Sequence, residues 1–231
     1  MPALSALAVA LVVTGCGATT VPPTEGPTDT SVPGVPGQET LDPFGAALRT
    51  EVAALVATLA AIDAALGDAG AASDIAGVHA AAERAVHALT TDAELAGDLD
   101  DDGTVADPGV RPLFAGPETG SPGDDVLSTI LAAARDEGGR GGRVIDVLRD
   151  PVTGDLSAWE QDPGGQLAAV MAAADTGTEE AIAALPGHLP RALAWAVACL
   201  AADDLDAATA AAINGRVHAT LSLDAAEALT D

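Results

Sequence analysis

The chain has no lysine and no tyrosine, and only two cysteines, two phenylalanines and two tryptophans in 231 residues. Each scarcity removes a class of function. With nine arginines against 35 Asp and Glu, the formal net charge is −26. A surface that acidic repels nucleic acid and anionic headgroups, so binding to DNA or RNA is excluded on electrostatic grounds. So few aromatic rings leave no platform for stacking sugars or bases. Two cysteines allow at most one bridge, so no disulfide framework holds this fold. Convincing strand alternation is absent, as is any clean repeat of 20–50 residues. The chain also lacks the Gly-x-Ser-x-Gly elbow, His-Glu-x-x-His, the Cys-x-x-Cys-His haem attachment and a phosphate loop.

What is present begins with an apolar run, Ala3 to Val13, that leads into Val13-Thr14-Gly15-Cys16. No Lys or Arg precedes Cys16. The four residues ending at Cys16 resemble the lipobox of bacterial lipoproteins, [LVI]-[ASTVI]-[GAS]-C. The resemblance implies that 1–15 is a signal peptide and that Cys16 is acylated and becomes the mature N-terminus. Its partner is then the membrane, reached through a lipid anchor; more than one acyl chain makes such anchoring stable. Gly17 follows the cysteine where inner-membrane lipoproteins of this type carry Asp, which implies the outer membrane or cell surface. With Cys16 acylated, Cys199 has no partner and reads as a small buried hydrophobe in an apolar helix.

Residues 16–41 form a tether. Sixteen of the 25 residues from Gly17 to Leu41 are Pro, Gly, Thr or Ser, a composition that buries no core and stays extended or disordered. In polyproline form its reach is on the order of 75 Å. Residues 42–231 then read as one acidic, all-α domain: an irregular bundle of about seven to nine helices, rich in alanine and closely packed.

The most regular helix carries Leu48, Val52, Leu55, Leu59, Ile62 and Leu66 at spacings of three and four, one apolar stripe over about five turns. Asp42 and Pro43 are placed to start it, and Gly67 and Gly70 to end it. A second helix runs from Asp74 to about Thr90. It sets His79, Glu83 and His87 at i, i+4 and i+8, a row able to supply metal ligands. The row drifts by about 40° per step from the apolar stripe, which predicts His79 at the boundary and His87 towards solvent. Gly77-x-His79 followed by Glu83 resembles, without matching, the Gly-x-His-x-x-Glu signature of imelysin-like envelope proteins. His188 or His218 would have to come close through folding to complete such a set.

The strongest chemical signal is the acidic run Asp98-Leu99-Asp100-Asp101-Asp102-Gly103-Thr104-Val105-Ala106-Asp107-Pro108-Gly109. Asp98, Asp100, Asp102 and Gly103 occupy positions 1, 3, 5 and 6 of a calcium loop, Thr104 offers its carbonyl at position 7, and Val105 is the apolar anchor at position 8. The run resembles EF-hand and dockerin-type loops, and calcium is the one cofactor these residues name, at an affinity suited to extracellular millimolar levels. Position 12 is Gly109 rather than a bidentate acid; Asp107 or Glu118 is the nearest substitute.

Further along, Phe114 is predicted to plug the core, and Gly138 to Gly142 to form a flexible turn. Asn214-Gly215 is predicted to bend or break a helix over 205–221, with a last short helix after Ser222. The functional expectation is a lipid-anchored envelope protein with a non-enzymatic binding or structural domain, facing a protein or small-ion partner. The alternative is a metal-handling lipoprotein.

Overall fold

The computed structural model describes residues 44–93, 95–114 and 124–230. Cys16, the tether, the Asp42-Pro43 start signal and Glu118 lie outside the described residues. Among the described residues the chain folds into nine α-helices: α1 (Ala46–Ala71), α2 (Ile75–Leu89), α3 (Val126–Asp136), α4 (Gly142–Val147), α5 (Leu156–Gln161), α6 (Pro163–Thr176), α7 (Glu179–Ala183), α8 (His188–Leu200) and α9 (Leu205–Glu227). A wide turn, Leu148–Thr153, joins α4 to α5 and is broken at Asp150, whose extended backbone follows from the proline after it. No strand forms among the described residues; one isolated parallel bridge pairs Thr90 with Phe114. The all-α reading holds.

Acidic side chains start many of these helices. Asp74, Asp125, Asp155, Asp162 and Asp204 each accept a hydrogen bond from the backbone N–H three residues on, at 2.7–3.1 Å. A carboxylate there satisfies a donor the helix cannot and meets the positive end of its dipole. Part of the acidic surplus is therefore spent on helix starts. Asp162 also brings the start of α6 forward to Pro163, since proline tolerates a first turn that needs no N–H.

The stripe on α1 is the spine of the core. Leu48, Leu55, Leu59, Ile62 and Leu66 are fully buried, and Val52 nearly so. α1 packs along both α2 and α9, and α8 closes the group against α9, α2 and α6. By length and composition α1 could cross a membrane, yet its apolar side chains are consumed by this bundle.

Two helix ends differ from the sequence expectation, for one reason. α1 runs through Gly67 and Gly70 to Ala71, and α9 runs unbroken through Asn214-Gly215 and past Ser222 to Glu227. A Cβ at Gly215 would sit 3.0 Å from Trp195 Cβ and 3.4 Å from Leu66 Cδ1, and one at Gly70 would sit 3.3 Å from Ile213. These glycines are helical because α1, α8 and α9 approach too closely for a side chain. Tertiary packing overrides their weak intrinsic helix preference.

Phe114 is buried as expected and stacks on Trp159, ring centroids 4.2 Å apart and planes within 11°. The pair holds the connection after the acidic loop against α5.

Candidate functional site

The row His79, Glu83, His87 does climb one face of α2, but the face is not where periodicity alone puts it. Glu83 is 1% exposed and His87 7% exposed. The expected solvent-facing His87 is thus corrected to a buried one. The cause is the acidic loop, which folds back over the second half of α2 and covers that face with backbone rather than apolar side chains.

The contacts are specific. His87 Nδ1 lies 2.7 Å from the Ala106 carbonyl oxygen, and Nε2 lies 3.1 Å from the Gly97 carbonyl oxygen. Carbonyls only accept, so each of these bonds forms when the ring nitrogen facing the carbonyl carries a proton. Glu83 Oε1 stands 3.8 Å from His87 Nε2 and accepts the Ala106 N–H at 3.0 Å. Glu83 and His87 together therefore clasp both ends of the loop.

This arrangement corrects the His79/Glu83/His87 metal set. Both ring nitrogens of His87 are turned to backbone carbonyls of the loop. His79 donates its Nε2–H to the Ala202 carbonyl at 3.0 Å, at the far end of α8. Eight helical residues also separate the two rings by about 12 Å of rise. His188 and His218, named as candidates to complete that set, lie against each other instead, with Nδ1 atoms 3.1 Å apart.

Glu83 does gather ligands, from the loop. Among the described residues, carboxylate oxygens of Glu83, Asp98 and Asp100 come within 4.8 Å of one another. Two oxygens on opposite sides of one calcium ion are about 4.8 Å apart, given calcium–oxygen bonds of about 2.4 Å, so these three can reach a shared ion. The loop is already wound for that role. Asp98 accepts the Asp102 N–H at 3.2 Å and the Gly103 N–H at 2.7 Å, Asp100 accepts the Asp102 N–H at 3.1 Å, and Asp102 accepts the Thr104 N–H at 2.7 Å. Gly103 takes φ +88° at position 6, where the chain turns sharply, and Asp101 takes φ +59°, a region aspartate tolerates. Burial, together with the charges of Asp102 and Asp98, pushes the Asp100 carboxyl above its ordinary pKa against the lowering effect of its backbone hydrogen bond.

Two loop residues depart from the calcium-loop template. Val105, expected as an apolar anchor, is 55% exposed; the Ala106 backbone, held by Glu83 and His87, anchors the loop in its place. Asp107 turns to its own loop and accepts the Gly109 N–H at 2.8 Å. The further carboxylate that reaches Asp98 and Asp100 is Glu83, from the helix before the loop. Sequence spacing hid this, because ligand templates count forward along the loop.

Cys199 is fully buried, and burial pushes its thiol up to about 12, far from thiolate chemistry.

Fold and site together define an all-α bundle with an acid-lined loop clasped over one helix. No family model, curated protein or solved structure matches the chain.

Proposed function

We propose that this protein is a lipid-anchored cell-envelope lipoprotein whose helical domain is a non-enzymatic binding or structural module. The observation that carries the anchor is the order apolar run, Val13-Thr14-Gly15-Cys16, then a Pro/Thr/Gly-rich spacer. An acidic domain has no electrostatic affinity for anionic lipid, so an acylated Cys16 would supply the attachment and the spacer the stand-off. Cys16→Ser should move the protein from the membrane fraction to the soluble exported fraction. Unchanged fractionation would overturn the anchor.

A second reading, calcium handling by the same domain, is favoured by the convergence of Glu83, Asp98 and Asp100. Asp102, the Thr104 carbonyl and Asp107 complete the donor set the loop offers. Five acids on and beside one loop suit a hard divalent cation that takes six to eight oxygens. In a thermal-shift titration with Ca²⁺, Tm should climb with the logarithm of calcium concentration. The climb should vanish in Asp98→Asn/Asp100→Asn.

A further inference from the structure

His188 opens α8 and His218 lies within α9. Their ring centroids are 5.3 Å apart, their planes 24° apart, and their Nδ1 atoms separated by 3.1 Å. The centroid separation is close to the Nδ1–Nδ1 distance plus both ring radii, so the rings meet end to end in nearly one plane. One Nδ1 therefore carries a proton and the other presents a lone pair to it.

The backbone holds His188 firmly at this place. Gly187, just before it, has φ +77°, and Gly154 has φ +80°. A Cβ at Gly187 would overlap the Thr153 carbonyl and Gly154 nitrogen, and a Cβ at Gly154 would overlap Pro186 and Gly187. Two chain segments thus cross backbone against backbone beside the ring. The Thr153 hydroxyl adds a 2.7 Å bond to the Leu148 carbonyl across the same turn. On the α9 side, Ala219 is fully buried, and the Ser222 hydroxyl donates to the His218 carbonyl at 3.1 Å. Two nitrogens preset by packed backbone are what a metal site needs and what an ordinary surface histidine lacks.

We propose that His188 and His218 form a two-imidazole site for a borderline divalent transition-metal ion, of the zinc or copper class, bound through both Nδ1 atoms. Zinc–nitrogen bonds of about 2.0–2.1 Å from one ion span two nitrogens 3.1 Å apart at an angle of about 100°, near tetrahedral, once each ring tilts from the end-to-end contact to turn its Nδ1 toward the ion. The proton balance closes. A neutral pair carries one proton on a Nδ1 and one on a Nε2; ligation moves the first to the Nε2 of its own ring, and none is lost. Burial first, then Arg191, hold His188 below its ordinary pKa against Asp150, and burial with His188 and Arg191 push His218 down to about 4. Arg191, whose Nε donates to the Leu185 carbonyl at 2.8 Å, opposes the incoming cation; Asp150, on the broken turn, favours it. The remaining coordination positions belong to water. Such a site is open, weaker than a closed four-ligand zinc centre, and separate from the acid-lined loop, since imidazole selects borderline ions and carboxylates select calcium.

The test uses the full chain, stripped with chelator and titrated with Zn²⁺ alone by calorimetry. One zinc should bind per chain, with affinity falling at least tenfold in both His188→Asn and His218→Asn while calcium-dependent stabilisation is unchanged. Ring ¹⁵N spectra of the unmutated chain give a readout that does not depend on the variants folding. Zinc should move the Nδ1 resonances of His188 and His218 and leave those of His79 and His87 in place. Absence of zinc binding, unchanged affinity in folded variants, or movement of the other two histidines alone would overturn the proposal.

Discussion

Glu83 Oε1 lies 3.8 Å from His87 Nε2 beneath a loop whose Leu99 packs on the core while Val105 stays exposed. Each partner also holds Ala106, Glu83 through the N–H and His87 through the carbonyl. The loop is therefore fastened by polar contacts to both buried side chains as well as by Leu99.

Glu83→Gln keeps the shape and an acceptor for the Ala106 N–H, but would leave a protonated His87 buried without its partner. Removing one member of a buried pair typically costs about 3–5 kcal/mol. Urea denaturation should show a loss of that order, and amide exchange over residues 97–107 should speed up. A variant as stable as the parent would show that His87 carries no charge.

The same substitution separates two accounts of the loop. If Glu83 stands in for the acid missing at position 12, Glu83→Gln weakens calcium binding at least tenfold, although the residue lies 15 positions before Asp98. Asp107→Asn, on a side chain engaged with Gly109, should weaken it far less. Equal losses would sink this assignment.

Cys199 should be inert in the native state. With a pKa pushed up to about 12 by burial, its thiol is protonated and covered. An aromatic disulfide reagent should modify it only at the rate of global unfolding, and rapid modification in buffer would contradict its placement.

Glu51 should set part of the acid sensitivity. Its Oε2 accepts from Arg111 Nη2 at 2.6 Å and from the Thr129 hydroxyl at 2.7 Å. Burial works to raise its pKa, but the Thr129 hydroxyl and the Arg111 guanidinium outweigh it and hold the carboxyl below its ordinary value. A group held lower in the folded chain stabilises it above the unfolded pKa, and that contribution is lost as pH falls through the folded value. Arg111→Gln should therefore flatten the fall of Tm between about pH 5 and pH 3. Parallel curves for the two proteins would remove Glu51 from the account.

Gly187→Ala should be costly. The position has φ +77°, and the added carbon meets the Thr153–Gly154 backbone, which has no flexible end to move aside. A loss above about 2 kcal/mol is expected by urea denaturation, with the His188–His218 contact disturbed in ring spectra. A neutral outcome would show that the crossing is loose.

The all-α class and the α1 stripe were legible from local chemistry, and so was the capped start of α3 at Asp125. Periodicity marks a helix face, and an aspartate three residues before an unsatisfied N–H marks a cap, whatever the rest of the chain does. Helix breaks at Gly67, Gly70 and Gly215 were misread for the complementary reason: a glycine looks the same in sequence whether it ends a helix or lets another helix approach. The loop spacing also disclosed Asp98, Asp100 and Asp102, since those positions lie close together along the chain.

Tertiary structure alone decided which face of α2 is buried, and so turned His87 from a candidate ligand into a clasp. It brought Glu83 to Asp98 and Asp100, and His188 to His218 across 30 residues. Those pairings depend on how a loop folds back and how two backbones cross, and no local propensity encodes either. Composition and periodicity determined the class of molecule; the meeting of distant polar groups, which needs the whole bundle to position them, determined where its chemistry can lie.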